Sequence, residues 1–283
     1  MASPPAPIVS LDLIHRAIAV DIAYTISRMQ VLERLPGNPI GVAWRRFDGR
    51  IAALMARHLP SPSFNRVVGL RAGDEAHVAP LAAWYRENQA SVRFETVPSD
   101  FDAALGRELT RHGFFHSGFH AALACRMEDP IAPPAAAEIE RVATAATMED
   151  FLAAYVAGWG FADKDHPQFK ANVRPWLQQP GWSLYLARVG GRPAATATLF
   201  MDGDTAYCAD ATTDPAFRRH GLHSALLHRR IRDATTARVD LVTSGAAFLS
   251  DSFRNMERIG MRLMFLRANW TATAGSPDSK SDR

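Results

Sequence analysis

Ala206-Tyr207-Cys208-Ala209-Asp210-Ala211-Thr212-Thr213-Asp214-Pro215-Ala216-Phe217-Arg218-Arg219-His220-Gly221-Leu222-His223-Ser224-Ala225-Leu226-Leu227 decides the reading of this chain. A strand-like run leads into a short basic turn with one glycine, and an amphipathic helix begins at that turn. A helix start leaves several backbone N–H groups without intrahelical partners and carries a partial positive charge. Wrapped by a basic turn, it is a seat for a phosphate or pyrophosphate. Arg218 and Arg219 add long-range attraction, and Gly221 lets the main chain approach a ligand with no Cβ in the way.

The segments downstream continue the pattern. Asp240 to Ser244 is a short apolar run suited to a buried strand. Ser250 to Ile259 reads as a helix closed by Gly260, a residue suited to a left-handed cap, and Arg262 to Trp270 reads as a final strand. Glu128 to Ala137 has the proline and alanine content of a linker. Upstream of it the order foreshadows the second half: a strand at Val67–Leu70, a helix from Asp74 to Asn88 with Val78, Leu81, Ala82 and Tyr85 on one face, and a strand from Val92 to Val97. A helix from Phe101 to His112 follows, introduced by Ser99 with Asp102 as a capping box, and then a strand from Phe119 to Arg126. Gly113-Phe114 mirrors Gly260-Met261 at an offset of 147 residues, which implies an internal duplication.

The Arg218–His223 turn resembles the acyl-coenzyme-A signature of the GNAT superfamily of N-acetyltransferases. That signature is a strand ending near V-x-P, then Arg/Gln-x-x-Gly-x-Gly/Ala, then a helix. Thr213-Asp214-Pro215 stands at V-x-P, and Arg218, Gly221 and His223 stand at the three motif positions. Glu257-Arg258-Ile259-Gly260-Met261 resembles the family's Glu-Lys-x-Gly-Phe. The resemblance covers Glu138 to Trp270 well and Asp12 to Arg126 in outline. It implies a mixed α+β and α/β fold of two GNAT-like domains, each a twisted mixed β-sheet flanked by helices. The expected layout is a disordered N-terminus at 1–9, a degenerate domain at 10–127, a linker at 128–137, a catalytic domain at 138–271 and a disordered tail at 272–283. The first domain is read as degenerate because the counterpart of the phosphate turn is Arg71-Ala72-Gly73-Asp74-Glu75-Ala76-His77, whose two carboxylates would repel a pyrophosphate.

The resemblance implies an acetyl-coenzyme-A-dependent N-acetyltransferase acting on the primary amine of a small molecule by direct attack on the thioester. Main-chain groups of Ala211, Thr212 and Thr213 are expected to bind the acyl carbonyl and pantetheine amides. Arg218, Arg219, His220, Gly221, Leu222, His223 and Ser224 are expected to hold the phosphates, and Ser250, Ser252, Arg254 and Asn255 to contact the pantetheine arm or the adenosine phosphates, helix capping being the favoured alternative for Ser250. Asp210 is the candidate base, the alternative being a bond to a neighbouring loop. Two positions depart from the family pattern. His223 stands where a small residue is usual, and it either donates to a phosphate oxygen or crowds the pyrophosphate. Met256 stands where a tyrosine usually protonates the leaving thiolate, so Tyr207, Ser252 or water serves instead, the thiolate leaves unaided, or catalysis has been lost. These departures motivate a second reading, a non-catalytic acyl-coenzyme-A-binding regulatory protein; transfer of a longer acyl chain is a third. The region from Phe151 to Trp182, with three tryptophans, is the expected substrate-selecting surface.

Composition narrows the class. The chain has 283 residues, 47% hydrophobic and 22% charged, enough to bury a core in each of two domains. Its formal charge of +3 suits an anionic coenzyme, and no basic block with interleaved aromatics marks a nucleic-acid surface. With two cysteines, Cys125 and Cys208, each in an apolar run, the reading is two buried thiols in a cytoplasmic protein. No run is long enough to span a membrane, and Met1–Pro7 lacks the basic flank and apolar core of a signal peptide, so neither is expected. His112, His116, His120 and His166 lack the companions that would complete a metal set, so no metal is expected. A homodimer stays open.

Overall fold

The computed structural model describes residues 9–59, 61–127 and 137–272. The ends and linker expected at 1–9, 272–283 and 128–137 therefore lie outside the described residues, apart from residues 9, 137 and 272. In chain order the elements are α1 (Leu11–Glu33), β1 (Val42–Phe47), β2 (Ile51–Ala56), β3 (Arg66–Val68), α2 (Val78–Glu87), β4 (Arg93–Thr96), α3 (Ala103–Arg111) and β5 (Phe114–Arg126). There follow β6 (Glu138–Arg141), α4 (Ala145–Trp159), α5 (His166–Val173), β7 (Trp182–Val189), β8 (Arg192–Asp202), β9 (Thr205–Thr213), α6 (Leu222–Thr236), β10 (Leu241–Ala246), α7 (Asp251–Ile259) and β11 (Arg262–Ala272). Among the described residues no helix is long and apolar enough to cross a membrane.

Two compact units emerge, and neither is a continuous block. The C-terminal unit takes in the described residues of 1–20 and 122–264, and the N-terminal unit those of 21–121 and 265–283. The sequence reading ended the first domain at 127 and carried the second to 271. Alternation along β5 and β11 reports which side chains are buried, not which neighbour each strand pairs with. In the N-terminal unit the strand order is β1-β2-β3-β4-β11-β5, with β11 antiparallel to β4 through Ala268↔Thr96 and Trp270↔Phe94. In the C-terminal unit it is β5-β10-β9-β8-β7-β6, with β9 and β10 parallel and the β6–β9 pairs antiparallel. The start of the chain joins this unit through Arg16, whose guanidinium lies 3.0 Å from Asp240 and 3.1 Å from Asp204.

The local signals in the sequence become real caps and faces. Val78, Leu81, Ala82 and Tyr85 of α2 are all buried, against Ile51, Met55, Phe94 and Phe114. α7 is capped by the Ser250 side chain, which accepts from Phe253 N at 3.2 Å, and closed by Gly260 at φ 111°. One cap differs from expectation. Helix α3 starts at Asp102, whose carboxylate accepts from Ala104 N and Leu105 N, and not at a Ser99 capping box. Pro98–Asp100 forms a 3₁₀ turn and Phe101 is extended, so Ser99 lies outside the helix. Both cysteines are buried, and they form no disulfide.

Candidate acyl-coenzyme-A site

The site is built where two parallel strands part. β9 and β10 pair from Thr205↔Leu241 to Cys208↔Ser244, and there the ladder ends although β9 continues to Thr213. Ser244 Oγ donates to Cys208 O at 2.8 Å and closes the last pair. Beyond it, the edge of residues 209–213 that faces away from β8 carries main-chain groups with no partner in β10. On its other side β9 pairs with β8 through Thr212↔Thr196 and Ala209↔Thr198, so Asp210 and Ala211 together oppose Ala197. This is a β-bulge, a device that re-aims a strand next to functional sites. Asp210 takes the strain at φ 45°, a left-handed conformation that aspartate tolerates better than most residues. Its carboxylate accepts from Thr198 Oγ1 at 3.4 Å.

The turn after β9 is shaped for an anion. Asp214 caps the 3₁₀ turn Pro215–Phe217 through Ala216 N, at 2.9 Å. Arg219 at φ 67° and Gly221 at φ 72° then curl the backbone into a nest. The N–H groups of residues 219–224 have no hydrogen-bond partner among the described residues. His220 Nδ1 lies 3.1 Å from Phe217 O and 3.0 Å from Arg218 O. Carbonyls only accept, so this nitrogen carries the proton and the ring buttresses the turn. Arg218 and Arg219 are exposed and pair with no carboxylate among the described residues. Unpartnered N–H groups beside two exposed guanidiniums are the chemistry an anion would meet.

The His223 ring bridges α6 and α7. Nε2 is 3.1 Å from Ser252 Oγ and Nδ1 is 3.4 Å from Asn255 Nδ2. Arg258 fixes the proton order. Its Nη1 donates to Asn255 Oδ1 at 2.7 Å, so the amide turns its NH₂ towards His223. Nδ1 must then accept, Nε2 carries the proton, and His223 donates to Ser252. Burial, reinforced by the nearby Arg230 charge, holds the His223 pKa at about 4, so the ring stays neutral near pH 7. Ser252 receives one hydrogen bond and keeps its own hydroxyl proton to give, and accepting strengthens it as a donor. This polarity also excludes Ser252 as a His-activated nucleophile.

The remaining sequence candidates sit at different depths. Tyr207 lies inside the paired stretch of β9, opposite Thr243, before the strands part. Ser250 spends its side-chain oxygen on the α7 cap. Met256 is buried. Of the three tryptophans in the expected substrate region, Trp176 and Trp182 are core residues, whereas Trp159 is 47% exposed. It packs with Tyr155 and Phe161, and Phe161 stacks on Phe169. Gly158 brings this cluster against β9: a Cβ there would come within 2.4 Å of Thr212 Oγ1. Of the four candidate histidines, His112 contacts Glu108, His116 packs on Phe119 and His166 bonds Phe161 O. Among the described residues no three His, Cys, Asp or Glu side chains gather to hold a metal.

Residues 134–252 match the family model for the acetyltransferase (GNAT) domain. Over this stretch the chain is similar to GNAT acetyltransferase domains. Similar solved structures include a GCN5-related N-acetyltransferase from Kribbella flavida, 18% identical, with a TM-score of 0.63 over 90% of this chain and 96% of that one. A tandem GNAT protein from the clavulanic acid biosynthesis pathway is 15% identical, with a TM-score of 0.59 over 97% and 98%. A conserved protein of unknown function from Staphylococcus epidermidis is 14% identical, with a TM-score of 0.61 over 82% and 94%. At these identities the likeness is one of fold. No curated protein matches the sequence.

Two features of the C-terminal unit escaped the sequence reading. The bulge at Asp210 leaves no mark in a strand's alternation. Arg230 did leave one: it follows Leu222 and Leu226 at helical spacing, a charge on the apolar stripe of α6. The N-terminal unit repeats the frame with other chemistry. Its parallel pair β3–β4 is followed by a turn in which Asp74 accepts from Arg50 Nη1 at 2.5 Å, Arg50 Nη2 at 2.6 Å and Arg71 N at 2.7 Å. Burial would raise the Asp74 pKa, but these donors bring it below the usual range. A carboxylate of the chain itself thus occupies the turn.

Proposed function

We propose that the protein is an acetyl-coenzyme-A-dependent N-acetyltransferase whose acceptor is the primary amine of a small molecule. The observation that carries this reading is the parting of β9 from β10 beside a turn with unpartnered N–H groups. The turn would hold the pyrophosphate, and the free edge of Ala211, Thr212 and Thr213 would bind the pantetheine and polarise the acyl carbonyl. The amine nitrogen bonds to the carbonyl carbon, the carbon–sulfur bond breaks, and its electron pair leaves on sulfur. Asp210 would take the proton from the amine and later release it to solvent, while Ser252, the end of the Arg258–Asn255–His223 donor chain, would hydrogen-bond the leaving thiolate until water supplies its proton. Tyr207, within the paired stretch, is the less suited donor. The aromatic cluster around Trp159 supports an acceptor with an apolar or aromatic body. No nucleic acid, membrane or metal enters the scheme; a homodimer is compatible with it, and a cytoplasmic setting suits the two buried thiols.

Calorimetric titration with acetyl-CoA, followed by a primary-amine panel scored by thiol release, tests this. Micromolar binding with turnover supports it; binding without turnover on any amine favours the regulatory acyl-coenzyme-A-binding reading, and preference for longer acyl thioesters favours the third. Asp210→Asn should lower kcat about a hundredfold and leave acetyl-CoA affinity within about twofold, an unchanged kcat removing Asp210 as the base.

The N-terminal unit is proposed to bind no coenzyme, because Asp74 fills its turn. Asp74→Ala should leave acetyl-CoA affinity unchanged while costing about 2 kcal/mol of stability, through the orphaned Arg50. A large affinity loss in that variant would overturn the assignment.

A further inference from the structure

We propose that Arg230 is a charge-bearing positioning residue of the acyl-transfer site, tying β8 to β9 at the bulge and supplying positive potential to the leaving thiolate; this rests on the coenzyme reading above. Arg230 is 1% exposed. Its Nη1 donates to Thr198 O at 2.9 Å and to Ala209 O at 3.2 Å, carbonyls of neighbouring strands at the point where the β8–β9 register slips. Its Nε donates to Leu226 O at 3.1 Å. No carboxylate pairs with it among the described residues.

The N-terminal unit shows what the fold alone requires at this place. There Tyr85 of α2 sets its hydroxyl 2.5 Å from Leu54 O of β2 and 3.0 Å from Arg66 O of β3, the same bridge from helix to two adjacent strands. A neutral donor therefore suffices to tie the strands. The C-terminal unit uses a guanidinium, which keeps its charge inside proteins. Burying a charge without a counter-ion is costly, so the cation calls for a use beyond the tie.

Its field reaches both walls of the site. Burial raises the Cys208 thiol and Arg230 opposes that rise; burial lowers the His223 imidazole and Arg230 adds to that fall. Both effects are those of a positive potential. Cys208 is the last paired residue of β9, and Ala209, which Arg230 holds, opens the parted stretch. When the amine nitrogen bonds to the acyl carbon and the carbon–sulfur bond breaks, the electron pair settles on sulfur. A buried cation beside that stretch stabilises the anion, Ser252 hydrogen-bonds it, and water then returns a proton.

The test uses free coenzyme A, so it needs no acceptor amine. Its thiol is titrated on the full-length protein by the ultraviolet absorbance of the thiolate, as a difference against ligand-free protein. Wild type, Arg230→Lys, Arg230→Gln and Arg230→Tyr are compared, with calorimetric affinity and thermal unfolding recorded for each. The bound thiol is expected to titrate about one unit higher in Arg230→Gln and Arg230→Tyr than in wild type, about a tenfold fall in thiolate fraction at fixed pH. Arg230→Lys should restore most of the difference, although it shares any loss of stability. Equal titration in all folded variants overturns the inference while leaving the coenzyme reading intact. Absence of coenzyme A binding by wild type overturns both. Should Arg230→Gln fail to fold, Arg230→Lys against Arg230→Tyr decides the matter.

Discussion

Gly221→Glu is expected to abolish acetyl-CoA binding, with a loss of affinity of about a hundredfold or more by calorimetry. Two physical effects act together. Gly221 sits at φ 72° as the N-cap of α6, where a side chain costs roughly 1–2 kcal/mol in backbone strain. The larger effect is electrostatic. A carboxylate at this cap would accept the unpartnered N–H groups of the turn, as Asp74 does with Arg71 N in the N-terminal unit, and would repel a pyrophosphate. The effects separate with Gly221→Asn, since asparagine tolerates the left-handed region and carries no charge. That variant should bind within about tenfold of wild type. Unchanged affinity in Gly221→Glu would mean that the phosphate seat lies elsewhere.

The parts of this design that were legible in the sequence are those written in local chemistry. Pro215, Gly221 and the arginines announced the turn because a turn and a helix start each need particular residue types. Ser250 and Gly260 marked both ends of α7 for the same reason. Asp74 could be recognised as hostile to an anion from its position alone, although its Arg50 partner, 24 residues upstream, could not. Non-local pairing was not legible. Nothing in Arg262–Trp270 says that residues 268–271 pair with Thr96–Arg93, nor that the strand after Gly113 ends beside β10. The direction of His223 was equally hidden. Its role depends on an amide orientation set by Arg258, 35 positions away, and proton order along such a chain is a property of three-dimensional contacts.

The comparison of the two units sharpens what belongs to the fold and what belongs to the chemistry. Both have a short parallel pair that parts, a turn into a helix, a donor spanning two strands, and a glycine closing the following helix. At the turn one unit has Gly221 and unpartnered N–H groups where the other has Asp74 held by Arg50. At the spanning donor one has Arg230 and the other Tyr85. Architecture is thus repeated while charge is inverted or removed, as expected if one unit binds an anion and the other has turned its own carboxylate inward.

Arg66→Ala is expected to cost about 3–5 kcal/mol of stability, because it removes one of the guanidiniums that together neutralise two buried carboxylates. Arg66 lies 3.0 Å from Asp21 and 3.0 Å from Glu95 and donates to Thr25 Oγ1 at 2.6 Å. Arg267, from β11, reaches the same acids at 2.8 and 2.9 Å, and Arg93 completes the shell around Glu95. Burial alone would raise both carboxyl groups; Arg66 and Arg267 more than reverse it and hold them below the ordinary range. With folded values depressed, this contribution is fully present above the unfolded carboxylate pKa of about 4 and is lost as pH falls towards the folded values. Arg66→Ala should behave in the opposite sense. Its under-compensated acids gain from protonation, so the gap in unfolding free energy between wild type and variant should be widest near pH 7 and narrow towards pH 3. Denaturant titrations across that range would show it. A gap independent of pH would mean that Arg66 acts through packing, and that the burial of these charges is neutral to the acid response. Because the cluster belongs wholly to the N-terminal unit, acetyl-CoA affinity measured where the variant is folded should stay at the wild-type value, which separates this loss from that of Gly221→Glu.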